Sequence, residues 1–180
     1  MKVYLVRHGE CQPNLLKIYN TVDEDLNDTG IKQAEELRDD VDKIDYNVII
    51  SSPLVRAYHT AEIINVHHKE IIIDDWLRER EAGNLAGKPN SIFDRDEFWN
   101  YYSTIHYDDE EWVSHLFDRI QEFLDELKDE DYNTVLIVAH SGVSKAFSFY
   151  FEGMGDGHFL NRGLKNCEIK EYTLKKWEKN

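Results

Sequence analysis

The chain is short of the residues that staple, stiffen or span. It holds two cysteines in 180 residues, Cys11 and Cys167, far apart in sequence. Two thiols make no disulfide framework, so disulfide-built secreted folds are excluded and a reducing, cytoplasmic setting is expected. Proline occurs three times and glycine is not clustered, so nothing marks a linker or low-complexity boundary. No repeat is present, which excludes solenoids. Long apolar runs are missing too. No segment approaches a membrane-spanning length. The apolar stretch at residues 3–6 ends at Arg7 and His8, too short for a signal peptide. Basic residues are scarce: 21 Lys and Arg stand against 36 Asp and Glu, a net charge of −15 at pH 7. That balance excludes nucleic acid and anionic membrane as main partners. It is awkward for an anionic substrate, because few cations are available to gather one.

What remains is a soluble globular composition, 41% hydrophobic and 32% charged, of a length suited to one domain over residues 1–180. Strand-like and helix-like segments alternate. Apolar runs at 3–6, 48–50, 71–73 and 135–139 read as strands, the last the most apolar and central. Residues 169–174 alternate and read as a half-exposed edge strand. Helical spacing joins Ile31, Ala34, Leu37 and Val41 behind a candidate N-cap, Asn27. Ser52-Pro53 predicts the start of a helix running to about Asn65. Trp112, Val113, Leu116, Phe117, Ile120, Leu124 and Leu127 mark another helix, and residues 142–151 a further one. The expected fold is a three-layer α/β/α sandwich, its sheet mostly parallel with an antiparallel edge strand. Residues 83–109 break the rhythm; polar and aromatic, they predict an excursion over the sheet that serves as a lid.

In open α/β sheets, ligands bind beyond the carboxyl ends of the strands. Three apolar strands here end in reactive or cationic residues: Arg7-His8-Gly9, Ser51-Ser52-Pro53 followed by Arg56, and His140-Ser141-Gly142. Parallel strands bring these ends to one edge, beside helix N-termini. Two arginines and two histidines there suit an anion, above all phosphate, with a histidine placed to attack phosphorus or to bind it. His67-His68 lacks the spaced partners of a metal site and reads as a loop pair. Asp and Glu at 108–111 read as the acidic N-terminus of a helix.

Five ordered segments resemble the histidine phosphatase superfamily, the phosphoglycerate mutase-like proteins. Arg7-His8-Gly9-Glu10 with Asn14 is similar to R-H-G-E-[ST]-x-x-N, and residues 26–34 to L-[ST]-x-x-G-x-x-Q-A. Residues 51–61 resemble S-S-x-L-x-R-A-x-x-T-A, residues 77–83 L-x-E-x-x-x-G, and residues 138–142 V-[ASG]-H-[SG]-G. The likeness spans residue 2 to about 170. It implies a phosphoglycerate mutase-like fold and a phosphohistidine mechanism that uses no metal or other cofactor. It also implies roles: His8 as nucleophile, Glu79 as general acid and then base, and Arg7, Asn14, Arg56 and His140 as holders of the phosphate. Cys11 stands where the family has Ser or Thr, so a weaker contact is expected there.

Three functions follow from the resemblance: a phosphomonoester hydrolase, a phosphoglycerate mutase with the same nucleophile, and a non-catalytic phosphate or phosphoprotein binder. Binding alone needs no acid, which argues against the third. A mutase needs extra cations in the lid, yet Lys88 and Arg95 are the only ones between 83 and 111. The expectation is therefore a hydrolase of small phosphorylated substrates with few other anionic groups. The sequence assigns no oligomeric state.

Overall fold

The computed structural model describes residues 1–19 and 21–177. One sheet is built from β1 (Lys2–Arg7), β2 (Val48–Ser51), β3 (Ile71–Ile73), β4 (Thr134–Ala139) and β5 (Ile169–Thr173). The strand order is β3-β2-β4-β1-β5. β1, β2, β3 and β4 run parallel, and β5 pairs antiparallel with β1. β4 lies in the middle with layers on both faces, which is why its run is apolar throughout. β5 lies at an edge and alternates, with Tyr172 buried and Glu171 and Thr173 exposed.

The helices are α1 (Gln12–Leu16), α2 (Asp28–Val41), α3 (Val55–Ile64), α4 (Arg95–Phe98), α5 (Val113–Leu127) and α6 (Ser141–Glu152). α2 and α3 cover one face: Ala34, Leu37, Ala57 and Ala61 pack with Val6, Ile49, Leu136 and Val138. α5 and α6 cover the other: Leu116, Ile120, Val143 and Phe147 pack with Val3, Leu5, Val135 and Ile137. Successive residues of β4 thus feed opposite cores, and the three-layer α/β/α sandwich is as expected. Among the described residues no helix is long and apolar enough to cross a membrane.

Local starts differ in two places. Asn27 caps α2 as expected, its side chain accepting from Gly30 N at 2.8 Å. Ser52-Pro53, however, does not open α3. Ser52 is still held extended, its N–H donating to Val138 O at 3.0 Å, and the helix begins at Val55. Trp112 is not part of the buried face of α5. It sits at the N-cap, 45% exposed, with its ring stacked on His106 at 4.0 Å; Phe123 completes the face instead.

Residues 83–109 pack against the rest of the chain. This segment contains short 3-10 turns at Gly83–Leu85 and Asn90–Ile92 and the single turn α4. Phe98 and Trp99 anchor it in the core beside α5 and α6.

Candidate active site

The carboxyl ends of β1, β2 and β4 meet as the parallel order requires. His8 follows β1, with its N–H donating to Ala139 O at the end of β4 (3.0 Å). Its ring is buried. Nδ1 lies 2.7 Å from Gly9 O. A carbonyl only accepts, so Nδ1 carries the hydrogen and Nε2 keeps its lone pair. Burial, with Arg56 and Arg7 nearby, holds His8 well below the usual histidine range. The ring is therefore neutral at neutral pH.

Backbone crowding explains two motif glycines. A Cβ on Gly9 would stand 2.5 Å from Gly30 O, and one on Gly30 would stand 2.1 Å from Glu10 O. The chain after β1 packs directly on the first turn of α2, and only glycine allows that approach.

Arg7 and Arg56 flank His8. Arg7 Nη1 donates to Leu164 O at 2.9 Å, and Arg56 Nη1 to Thr21 O at 2.9 Å. Arg56 sits on the first turn of α3 and is 1% exposed. Nε of both arginines is buried with no hydrogen-bond partner among the described residues. Glu24 is the nearest carboxylate to Arg56, at 3.8 Å. Burial lowers both guanidiniums from their ordinary range, and Glu79 acts in the opposite sense; neither approaches neutrality in water-range pH.

Glu79 arrives from the loop after β3. Its Oε1 accepts from Arg80 N at 2.9 Å, and Gly142 N donates to Oε1 at 2.9 Å and Oε2 at 3.1 Å. The carboxylate thus sits on the N-terminus of α6, where N–H groups have no helical partner. A Cβ on Gly142 would stand 2.1 Å from Glu79 Oε1, which accounts for the glycine after His140-Ser141.

An arginine brace lies beneath this loop. Arg119 of α5 donates to Trp76 O, to Arg78 O at 2.8 Å and to Glu79 O at 3.5 Å, and Glu111 holds its Nε at 2.6 Å. Arg80 reaches Glu111 O at 2.7 Å, and its Nη2 pairs with the buried Glu110 at 3.2 Å. This corrects the reading of 108–111 as a helix N-terminal cluster: α5 has no acid in its first turn. Glu110 and Glu111 instead neutralise two inward-facing arginines.

Of the residues expected at the site, Arg7, His8, Asn14, Arg56 and Glu79 line one cavity of about 390 Å³. His140 does not line it. It lies behind His8, fully buried, with ring centroids 5.1 Å apart. Its Nε2 meets Ser52 Oγ at 2.7 Å. Ser52 Oγ already accepts from Leu54 N, so its own hydrogen can go to Nε2, leaving Nδ1 as the N–H donor. That Nδ1 has no partner among the described residues. Burial, Arg56, His8 and Arg7 hold His140 well below the usual range as well.

Cys11 Sγ donates to Asn14 Oδ1 at 3.0 Å, alongside Cys11 N at 3.2 Å. Asn166 was not anticipated. Its Nδ2 donates to His8 O at 3.0 Å and Asn14 Oδ1 at 3.3 Å, fixing the loop that carries His8. Trp99, from the expected aromatic lid, lines the cavity, and Lys17, Asn90 and Lys145 also line it without having been foreseen as site residues. No group of three or more His, Cys, Asp or Glu among the described residues is placed to hold a metal ion.

The chain is similar to known proteins over nearly its whole length. Residues 3–180 match the family model of the histidine phosphatase superfamily, branch 1. The uncharacterized phosphatase PhoE of Bacillus subtilis is 35% identical over 180 residues, covering 97% of this chain and 90% of that one. The 2,3-bisphosphoglycerate-dependent phosphoglycerate mutase of Thermoplasma acidophilum is 30% identical over 171 residues, covering 92% and 83%. A mutant phosphoserine phosphatase from Entamoeba histolytica, solved in complex with phosphoserine, superposes with a TM-score of 0.82 at 25% identity, covering 97% of this chain and 91% of that one. A family match over nearly the whole chain and a well-covered relative at 35% identity lead to one placement: the chain belongs to the histidine phosphatase superfamily, branch 1.

Proposed function

We propose that the chain is a metal-independent phosphomonoester hydrolase working through a phosphohistidine on His8. One observation carries this reading: two buried guanidiniums, whose Nε–H groups have no partner among the described residues, flank a neutral histidine whose Nε2 keeps its lone pair. Buried donors without acceptors are costly, and a phosphoryl group supplies the missing acceptors.

In the first step His8 Nε2 attacks phosphorus in line. Arg7 and Arg56 stabilise the equatorial oxygens and Asn14 adds a further contact; His140, although behind His8 and off the cavity wall, offers its Nδ1–H, unpartnered among the described residues, as one more donor. The P–O bond to the alcohol breaks, and Glu79 gives its proton to the departing oxygen. In the second step Glu79 takes a proton from water, the hydroxyl attacks the phosphohistidine, and inorganic phosphate leaves. The segment 83–109 acts as a lid, since Asn90, Arg95 and Trp99 from it face the same cavity. With only two cysteines, Cys11 and Cys167, the chain builds no disulfide framework, which supports a cytoplasmic setting.

The test is hydrolysis of p-nitrophenyl phosphate in excess chelator by the wild type and by His8→Ala. Turnover is expected to survive chelation and to vanish in the variant; metal dependence, or activity without His8, overturns the mechanism. The relative from Thermoplasma acidophilum makes mutase activity the reading to test against. Incubation with 3-phosphoglycerate is expected to release inorganic phosphate. Formation of 2-phosphoglycerate with little free phosphate would make the chain an isomerase.

A further inference from the structure

The cavity holds more positive charge than a phosphate monoester requires. Arg7 and Arg56 serve the phosphoryl group. Beyond them lies Lys145, one turn into α6 and only 4% exposed. Its Nζ donates to Ser141 Oγ at 2.8 Å and stands 4.5 Å from the centre of the Trp99 ring. Among the described residues no carboxylate forms an ion pair with it. A buried ammonium that is hydrogen-bonded but not neutralised is destabilising, and lysines of this kind are rare unless a ligand completes them.

Two further cations, Lys17 and Arg95, stand exposed at the rim of the same cavity. Asn90 also lines it, and its Oδ1 is a buried acceptor with no partner among the described residues. The expectation of few anionic groups beyond the phosphate rested on counting cations in the lid. Lys17 and Lys145 enter from α1 and α6, outside that segment, so the count missed them.

We propose that Lys145 is the specificity-determining residue of this cavity: it receives a carboxylate on the alcohol part of the substrate, so that the chain acts on small phosphorylated hydroxy- or amino-carboxylic acids. This rests on the phosphatase reading above. One compact ammonium inside the cavity matches a monoanion; a second phosphate would call for a guanidinium fork, which the interior beside Lys145 does not offer. Asn90 Oδ1 takes a hydrogen from a hydroxyl or ammonium next to that carboxylate. Lys17 and Arg95 draw the anion in from the rim. A volume of about 390 Å³ suits a molecule of this size.

The experiment compares substrates that differ only in the carboxylate: O-phosphoserine against O-phosphoethanolamine, and 3-phosphoglycerate against glycerol 3-phosphate. The wild type is expected to favour the carboxylate member of at least one pair by about tenfold or more in kcat/KM. In Lys145→Met that ratio is expected to fall to within about twofold, through a higher KM for the carboxylate member, while Lys145→Arg retains part of it. Equal rates within both pairs, an undiminished ratio in Lys145→Met, or a preference for a sugar bisphosphate overturns the proposal. His8-dependent turnover of p-nitrophenyl phosphate reports separately on the phosphatase reading. If that turnover is absent, calorimetric binding of the same pairs to wild type and Lys145→Met decides the matter: a carboxylate preference lost in the variant supports the assignment, and any other pattern refutes it.

Discussion

Lys145→Met should make the protein more stable, and by an amount that depends on pH. Burial pushes the Lys145 ammonium down from 10.5 to about 7; Glu79 opposes the shift, while Arg7, Arg95 and Arg80 reinforce it. A lowered folded-state value for a lysine means that holding the charge costs stability. The cost is full below the folded value, shrinks as pH rises from about 7 toward 10.5, and is gone above it. At about 1.4 kcal/mol per pH unit, the penalty is about 5 kcal/mol near pH 6 and about 3 kcal/mol near pH 8.5. Methionine is of similar length and carries no charge. It leaves Ser141 Oγ without the Nζ donor, which offsets about 1–2 kcal/mol. The net gain is about 3 kcal/mol near pH 6 and about 1 kcal/mol near pH 8.5. For a chain of this size that is a rise in Tm of about 6–12 °C at the lower pH and about 2–4 °C at the higher. Scanning calorimetry in buffers free of phosphate and sulfate reads both values without an anion in the cavity. A Tm that is unchanged or lower near pH 6, or a gain that does not shrink by pH 8.5, refutes the reasoning. A confirmed gain would mean that the wild type keeps a destabilising charge at its active site, the usual mark of a residue retained for activity.

Three other consequences are open to measurement. Glu79→Gln should cost about 10²–10⁴-fold in kcat on an alkyl phosphate but far less on p-nitrophenyl phosphate, whose leaving group needs little proton. Gly142→Ala should show the same split, because its Cβ would occupy the place of Glu79 Oε1; equal losses on both substrates would remove Glu79 from the acid role. By NMR, the rings of His8 and His140 should stay neutral as pH falls through about 6.5, since burial and two guanidiniums oppose the imidazolium; a titration midpoint near that pH for His8 would contradict the buried, arginine-flanked geometry.

Local pattern accounts for what could be read in advance. Residues 3–6 and 135–139 are apolar throughout because β1 and β4 are covered on both faces, and residues 169–173 alternate because β5 is an edge. Arg7, His8 and His140 directly follow apolar runs, Arg56 lies in a motif after another, and Glu79 was named by its likeness to a family motif. What failed depends on partners far away in sequence. Ser52-Pro53 looks like a helix start until Val138 O and His140 claim Ser52. Glu110 and Glu111 look like a solvated acidic cluster until Arg80 and Arg119, from other elements, turn inward to meet them. Lys145 stands among Val143, Ala146 and Phe147 in a helix, where a lysine normally runs its stem along the apolar face and puts its head in water. Nothing within a few residues says that this one ends in a cavity. Asn90 and Asn166 carry no local signal at all.

The scarcity of cations takes on a different meaning once they are located. Arg56, Arg80 and Lys145 are each at most 4% exposed, so part of an already small basic complement lies inside. Two classes of buried cation result. Arg80 and Arg119 are matched by Glu110 and Glu111, and they hold the loop that bears Glu79. Arg7 and Lys145 form no ion pair among the described residues, and Arg56 has only Glu24 at 3.8 Å. A matched cation braces, because its charge is already answered within the fold. An unmatched one is left available to an incoming anion. With 36 acidic residues in the chain, carboxylates were available to neutralise the second class. Among the described residues Glu79 is the one carboxylate that lines the cavity, and it forms no ion pair with Arg7, Arg56 or Lys145, which is what separates the cavity from the brace beneath it.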